Sequence, residues 1–353
     1  MSASPKKFAT SSGMAGGIAV AVLASAATAL WVGHMARRAE RDNPPAGRFI
    51  SVDGVRLHYI ERGQGSPVIL LHGNTVPLQD FIGSEIVERL ARRHRVIAFD
   101  RPGFGYSERP RDRFWTGQAQ ATLLQKALEQ LDVQRPVVVG HSWGTLVALG
   151  MAVSSPENLR GLVLISGYYY PGARMDAVMS APVALPLLGD ALRYTVSPLT
   201  GRLLLKHAVK AMFSPADVPH DFFDVVSREM MLRPLQIRAT AEDAALMVPS
   251  AAHLRDHYSR LRMPVSIFAG RDDKVVDAES HSVRLHSEVQ HSTINVAPAA
   301  GHMVHYAMVD EIVNAIEAMS VTDDALEVRA PGATPLSDDA LNVADGSLSL
   351  KTP

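Results

Sequence analysis

Short apolar runs punctuate this chain at residues 68–71, 96–99, 136–139 and 162–165, and two further strand-like runs, interrupted by Ser266 and Asn295, lie at 265–269 and 293–296. The first four are rich in Val, Ile and Leu and end at His72, Asp100, Gly140 and Ser166, the signature of a strand buried on both faces. Between them the apolar period lengthens. Residues 118–131 place Ala121, Leu124, Ala127, Leu128 and Leu131 on one helical face, and residues 79–93, 145–153 and 305–319 also predict helices. Residues 49–52 and 55–59 flank Asp53-Gly54 and predict an opening hairpin. Strand–helix alternation of this kind predicts an α/β fold with a mostly parallel central sheet and helices on both faces. No internal repeat interrupts it.

The alternation stops between residues 168 and 262. Met, Leu and Phe fall there at helical spacings, broken at Pro182, Pro186, Pro198, Pro215, Pro219 and Pro234. This stretch predicts a helical lid inserted between two core strands, over the sheet edge where α/β proteins bind ligands. Met175, Met179, Met212, Phe213, Phe222, Phe223, Met230 and Met231 are its candidate pocket-lining residues, although packing within the lid accounts for most of them. The chain thus divides into an N-terminal segment (1–47), a first core part (48–167), the lid (168–262), a second core part (263–320) and a tail (321–353). The tail is acidic and poor in aromatics, and is expected to be disordered.

Residues 13–33 carry no charged side chain, which is about the length of a bilayer-spanning helix. Lys6 and Lys7 precede the run, Arg37, Arg38 and Arg41 follow it, and Trp31 stands near its end. Basic residues on both sides give no orientation. Ala24-Ser25-Ala26 resembles a signal-peptidase site, so cleavage and secretion form the rival reading. The apolar run continues well past that site, which favours an uncleaved single-pass anchor followed by a Pro/Gly linker. With 353 residues, 47 % of them apolar, a sizeable core can form. A net charge of −1 gives no reason to expect nucleic acid as a partner, and the absence of cysteine excludes disulfides and thiolate metal sites.

The chemistry concentrates at Gly140-His141-Ser142-Trp143-Gly144, between a predicted strand and a predicted helix. In that context G-x-S-x-G is a nucleophile elbow: a strained turn exposes the serine hydroxyl, and the flanking glycines leave it room. A serine hydroxyl needs a base, and the base needs an orienting acid. Ala300-Gly301-His302 follows the last strand and offers the base. Asp272 and Asp273 follow the strand at 265–269 and offer the acid, and the order Ser, Asp, His is that of hydrolases with this elbow. His72, His141 and His305 adjoin the motifs, the first two as structural hydrogen-bonders. An oxyanion would be held by the N–H groups of Trp143 and of Asn74, in the loop after the strand at 68–71. The Asn74 side chain either adds a third donor or holds that loop.

Five ordered motifs carry a resemblance to the α/β-hydrolase fold family over residues 48–320. They are the His72-Gly73 loop, the Asp100–Gly105 turn, the elbow, the acid loop and Gly301-His302. The lidded branch of that family includes esterases, C–C bond hydrolases, epoxide hydrolases, haloalkane dehalogenases and cofactor-free perhydrolases. The resemblance implies a carboxylic ester hydrolase with Ser142 as nucleophile, His302 as base and Asp273 as acid, three residues after the glycine closing the strand. It implies no cofactor and no metal, and a small substrate with an apolar portion. C–C bond hydrolysis, perhydrolysis and a non-catalytic scaffold are the alternatives. Asn74 and Trp143 are placed as in dehalogenases, whose Asn and Trp grip halide. There the nucleophile is Asp, and a serine cannot form that ester intermediate.

Overall fold

The structure, a computed structural model, describes residues 11–327. Eight strands form one sheet: β1 (Arg48–Val52), β2 (Val55–Arg62), β3 (Ser66–Leu71), β4 (His94–Phe99), β5 (Val137–His141), β6 (Gly161–Ile165), β7 (Val265–Gly270) and β8 (Ser292–Ala297). Their order is β1-β2-β4-β3-β5-β6-β7-β8. The hairpin of β1 and β2 closes at the pair Val52–Val55. Asp53 and Gly54 both have positive φ, as a two-residue hairpin turn of the twist-matched kind requires. β2 also runs antiparallel to β4, and every other pairing is parallel.

The apolar runs are apolar because both faces of the sheet are covered. Ile69, Leu71, Val138, Leu162, Leu164 and Ile267 join one core with the helices Gly117–Gln130 and Gly144–Ser154. Their strand neighbours Val68, Leu70, Val137, Val139, Val163 and Phe268 point the other way, into a second core with Phe81, Ile86, Ile312 and Ile316.

Two helices depart from expectation. Residues 79–93 form two short helices, Gln79–Gly83 and Ile86–Leu90, rather than one. The Ser84 hydroxyl bonds back to the Phe81 carbonyl and Glu85 takes a left-handed φ of 65°, which ends the first helix. The last helix starts at Val309 after a short turn and runs on to Glu327, into the segment expected to be disordered. The rest of that expectation concerns residues 328–353, outside the described residues, as are residues 1–10.

Between β6 and β7 the described residues contain helices and no strand. They are Met175–Ala184, Leu188–Tyr194, Ser197–Phe213, Phe222–Val225, Arg228–Met231 and Pro234–Leu254, followed by a short turn. Pro182 lies inside the first of these rather than ending it, while Pro198 and Pro234 occupy first turns, where a missing N–H costs nothing. Phe213, Phe222 and Met231 pack with Val76 and Met303, a cluster that ties the insertion to the loops bearing Asn74 and His302. Met175 and Met179, by contrast, are exposed. The N-terminal residues form one helix, Ser11–Asp42.

Candidate active site

Ser142 sits at φ 51° between β5 and the helix Gly144–Ser154. Its glycines are dictated by space. A Cβ on Gly140 would lie 2.7 Å from the Gly144 carbonyl oxygen, and one on Gly144 only 2.1 Å from that of Leu71. Any larger residue would force the turn open, away from β3 and its loop.

Two loops from the sheet's far strands meet this turn. The loop after β8 brings His302 Nε2 to 2.8 Å from Ser142 Oγ. The loop after β7 brings Asp273 Oδ2 to 2.7 Å from His302 Nδ1. Asp273 Oδ1 accepts from the N–H groups of Val275 and Val276 at 2.7 and 2.9 Å, which fixes the carboxylate's rotation. Burial alone would raise the Asp273 carboxyl, but His302 and those two N–H groups outweigh it and hold the pKa below its ordinary value. Asp272 points to solvent. The His302 backbone N–H donates to the Met212 carbonyl at 2.8 Å, so the helical insertion also positions this residue.

The loop after β3 packs against the elbow, with Gly73 directly beside Ser142. Its orientation depends on Arg101, fully buried in the turn after β4. The Arg101 guanidinium lies 4.6 Å from the Trp143 ring and 4.7 Å from that of Phe104. Its Nε donates to the His72 carbonyl and an Nη to the Gly73 carbonyl, both at 2.8 Å, while its other Nη pairs with Asp243 at 2.6 Å. In a trans peptide the C=O and the following N–H point in opposite directions. Holding the Gly73 carbonyl toward Arg101 therefore turns the Asn74 N–H away from it. Among the described residues neither that N–H nor the Trp143 N–H has a protein acceptor. Sequence reasoning missed Arg101, although it lies in a turn singled out there.

The Asn74 side chain is engaged within the fold: its Nδ2 donates to the Thr240 carbonyl at 3.1 Å and its Oδ1 accepts from the Thr75 N–H at 3.0 Å. The Trp143 indole N–H likewise donates to the Asp243 carbonyl at 2.8 Å. Both acceptors lie on the helix Pro234–Leu254, which thereby ties the elbow and the loop after β3 to the helical insertion.

A second buried group stands behind the first. Asp80 accepts from His305 Nε2 and the Tyr306 hydroxyl, each at 3.0 Å, and lies 3.5 Å from His141 Nδ1. His141 Nε2 in turn reaches the His302 carbonyl at 3.2 Å. His72 accepts the Arg101 backbone N–H at Nε2, which assigns its proton to Nδ1, facing the Gly73 carbonyl. Burial is the main cause that pushes His72 down to about 3, with Arg101 adding to it, and burial likewise pushes His141 and His281 down to about 4. All three are neutral in the fold near pH 7 and gain a proton on unfolding once the pH falls below their ordinary 6.5. The unfolded chain then binds more protons, so stability falls with pH in that window. The melting temperature is expected to drop steadily from pH 7 toward pH 4. A flat profile across that range would show that these histidines are not held neutral.

Ser142 is only 6 % exposed and His302 only 2 %. A cavity of about 430 Å³ opens elsewhere, between the loop bearing Phe114 and Trp115, the bend at Leu185 and Pro186, and the helix bearing Leu246, and touches none of Ser142, Asp273 or His302. It is therefore not a binding pocket for the reacting group.

Sheet order, elbow and loop placement define an α/β hydrolase. The family model described as alpha/beta hydrolase fold matches residues 66–307, and the chain belongs to that family and is an enzyme of it. It is 27 % identical to 2-hydroxy-6-oxo-2,4-heptadienoate hydrolase of Pseudomonas putida, over 74 % of this chain and 91 % of that one. It is 31 % identical to haloalkane dehalogenase 2 of Mycobacterium tuberculosis, over 39 % of this chain and half of that protein. Among solved structures, a thermophilic esterase from Thermogutta terrifontis superposes with a TM-score of 0.63 at 21 % identity, covering 78 % of this chain and 99 % of the esterase. That last likeness is one of fold alone.

Proposed function

We propose that this enzyme is a membrane-anchored serine hydrolase that cleaves a carboxylic ester or related acyl compound through an acyl-enzyme. Ser142 Oγ attacks the carbonyl carbon while His302 Nε2 takes its proton. Asp273 keeps the imidazole in the tautomer that accepts at Nε2, and stabilises the imidazolium as it forms. The Asn74 and Trp143 N–H groups receive the oxyanion, and His302 returns the proton to the departing alkoxide. Water, deprotonated by the same imidazole, then releases the acid and restores Ser142. What supports this reading above all is the unbroken run of hydrogen bonds from Ser142 through His302 to Asp273, beside two N–H groups without protein acceptors. The near-complete burial of Ser142 supports a gating role for the helical insertion at residues 168–262, which must shift to admit substrate. The uncharged run at residues 13–33 of the N-terminal helix serves as the anchor, rather than as a cleaved signal.

A second reading is favoured by the likeness, over most of both chains, to a 2-hydroxy-6-oxo-2,4-heptadienoate hydrolase. The same groups would then act on a ketone carbonyl and release a carbon leaving group, protonated as it departs. Two assays separate the readings. The ester reading expects turnover of p-nitrophenyl esters of graded chain length, with little loss of absorbance from a 2-hydroxy-6-oxodienoate. Rapid bleaching of the dienoate with slow ester turnover would replace it by the second reading.

A further inference from the structure

Two helices of this protein change from apolar to basic along their length, and the fold brings the apolar part of one against the end of the apolar run of the other. In Ser11–Asp42, Val20, Leu23 and Leu30 are exposed, and Arg37, Arg38 and Arg41 follow them. In Ser197–Phe213, Leu199, Leu203 and Leu204 are exposed, Leu203 by 74 %, and Lys206, His207 and Lys210 follow, also exposed. The second helix needs none of these leucines for its own packing, since Leu205, Val209 and Phe213 face the insertion's core. The apolar half of the second helix meets the N-terminal helix at the end of its uncharged run: the Arg202 guanidinium lies 5.2 Å over the Trp31 ring, and Trp31, Val32, Pro198 and Arg202 line one small cleft. Below that contact the N-terminal helix is fixed to the domain through Glu40, which pairs with Arg233 at 2.8 Å. It also touches Leu188–Tyr194, preceded by Leu187, itself 83 % exposed.

We infer that the exposed leucines of the insertion form a membrane-docking face, immersed in the same bilayer leaflet that the N-terminal helix enters. Leucines buried among acyl chains, Trp31 at the boundary and Lys or Arg among the headgroups is the layering that an interfacial element requires. A protein partner would account for the leucines but not for their standing beside the end of the anchor's own apolar run. The inference rests on the anchor reading given above. Its consequence is that the insertion meets apolar substrates in the lipid rather than in water.

The chain contains no cysteine, so single labels can be placed without background. The full-length variants Leu203→Cys, Leu23→Cys and Glu129→Cys, each carrying an environment-sensitive fluorophore, are reconstituted in phosphatidylcholine vesicles with or without brominated acyl chains. Glu129 is exposed at the far end of the helix Gly117–Gln130 and serves as the aqueous reference. The docking face predicts blue-shifted emission at positions 203 and 23, lost in brominated vesicles, and no change at 129. Loss at 23 with water-like emission at 203 overturns the docking face and leaves the anchor standing. No quenching at either position removes the anchor and the docking face together. A blue shift at 203 that brominated lipid does not quench means a protein, such as a second copy, covers the leucines, and likewise overturns the inference.

Discussion

Replacing Asp273 by Asn is expected to lower turnover by roughly 10⁴, the loss found when a triad aspartate becomes an amide that favours the wrong histidine tautomer. Asp272→Asn should leave most activity intact, because that side chain faces solvent and touches nothing in the site. The contrast between neighbours follows from backbone direction. Asp273 turns back into its own loop, where the Val275 and Val276 N–H groups orient one carboxylate oxygen and leave the other for His302 Nδ1. An amide at 273 can still accept those two bonds, but it would present an NH₂ group to Nδ1. The imidazole would then carry its proton on Nε2 and could not accept from Ser142. Both variants should melt within a few degrees of the parent, so that unfolding does not explain the loss. Equal activity in the two variants, or the reverse ranking, contradicts the role given to Asp273.

The second large effect is expected at Arg101, which touches no reacting atom. Its fork holds the His72 and Gly73 carbonyls at once, while Asp243 balances its charge. Lys keeps the charge but offers one compact ammonium in place of a planar fork. Arg101→Lys should therefore retain the pairing with Asp243 and release one of the two carbonyls. With the Gly73–Asn74 peptide free to rotate, the oxyanion loses a preorganised donor, and kcat should fall by roughly 10² to 10³ with little change in KM. Arg101→Met is the harsher variant. It leaves Asp243 buried without its main partner and should cost about 3–5 kcal/mol of stability. A folded Arg101→Lys enzyme with near-parental kcat would show that the loop's direction does not depend on the guanidinium.

The strands were legible because burial on both sheet faces forces continuous apolar runs, and the elbow because two backbone approaches leave no room for a Cβ. The order of the loops then placed Asp273 and His302 on neighbouring strands at the same sheet edge. Other features depend on contacts between residues far apart in the chain, which spacing does not encode. Arg101 pairs with Asp243 across 142 positions, and Asp80 meets His305 across 225. The break at Ser84–Glu85 was hidden because Ile82, Ile86 and Leu90 keep a helix-like apolar spacing through it. The insertion showed its helices but not their surfaces. Among its candidate pocket residues, Phe213, Phe222, Met230 and Met231 are packed inside, while Met175 and Met179 lie outside. Apolar period alone does not distinguish a buried face from an exposed one.

The central claim is that Ser142 is a nucleophile activated by His302 and Asp273. A fluorophosphonate probe tests it most directly, because it phosphonylates a serine whose hydroxyl has lost its proton to a base and expels fluoride as it does so. The full-length protein in vesicles is treated with the probe, digested and sequenced by mass spectrometry. The account predicts one adduct, on the peptide containing Ser142, formed far more slowly in Asp273→Asn and absent in Ser142→Ala. A folded parent protein that takes up no probe, or takes it up at another serine, would contradict it.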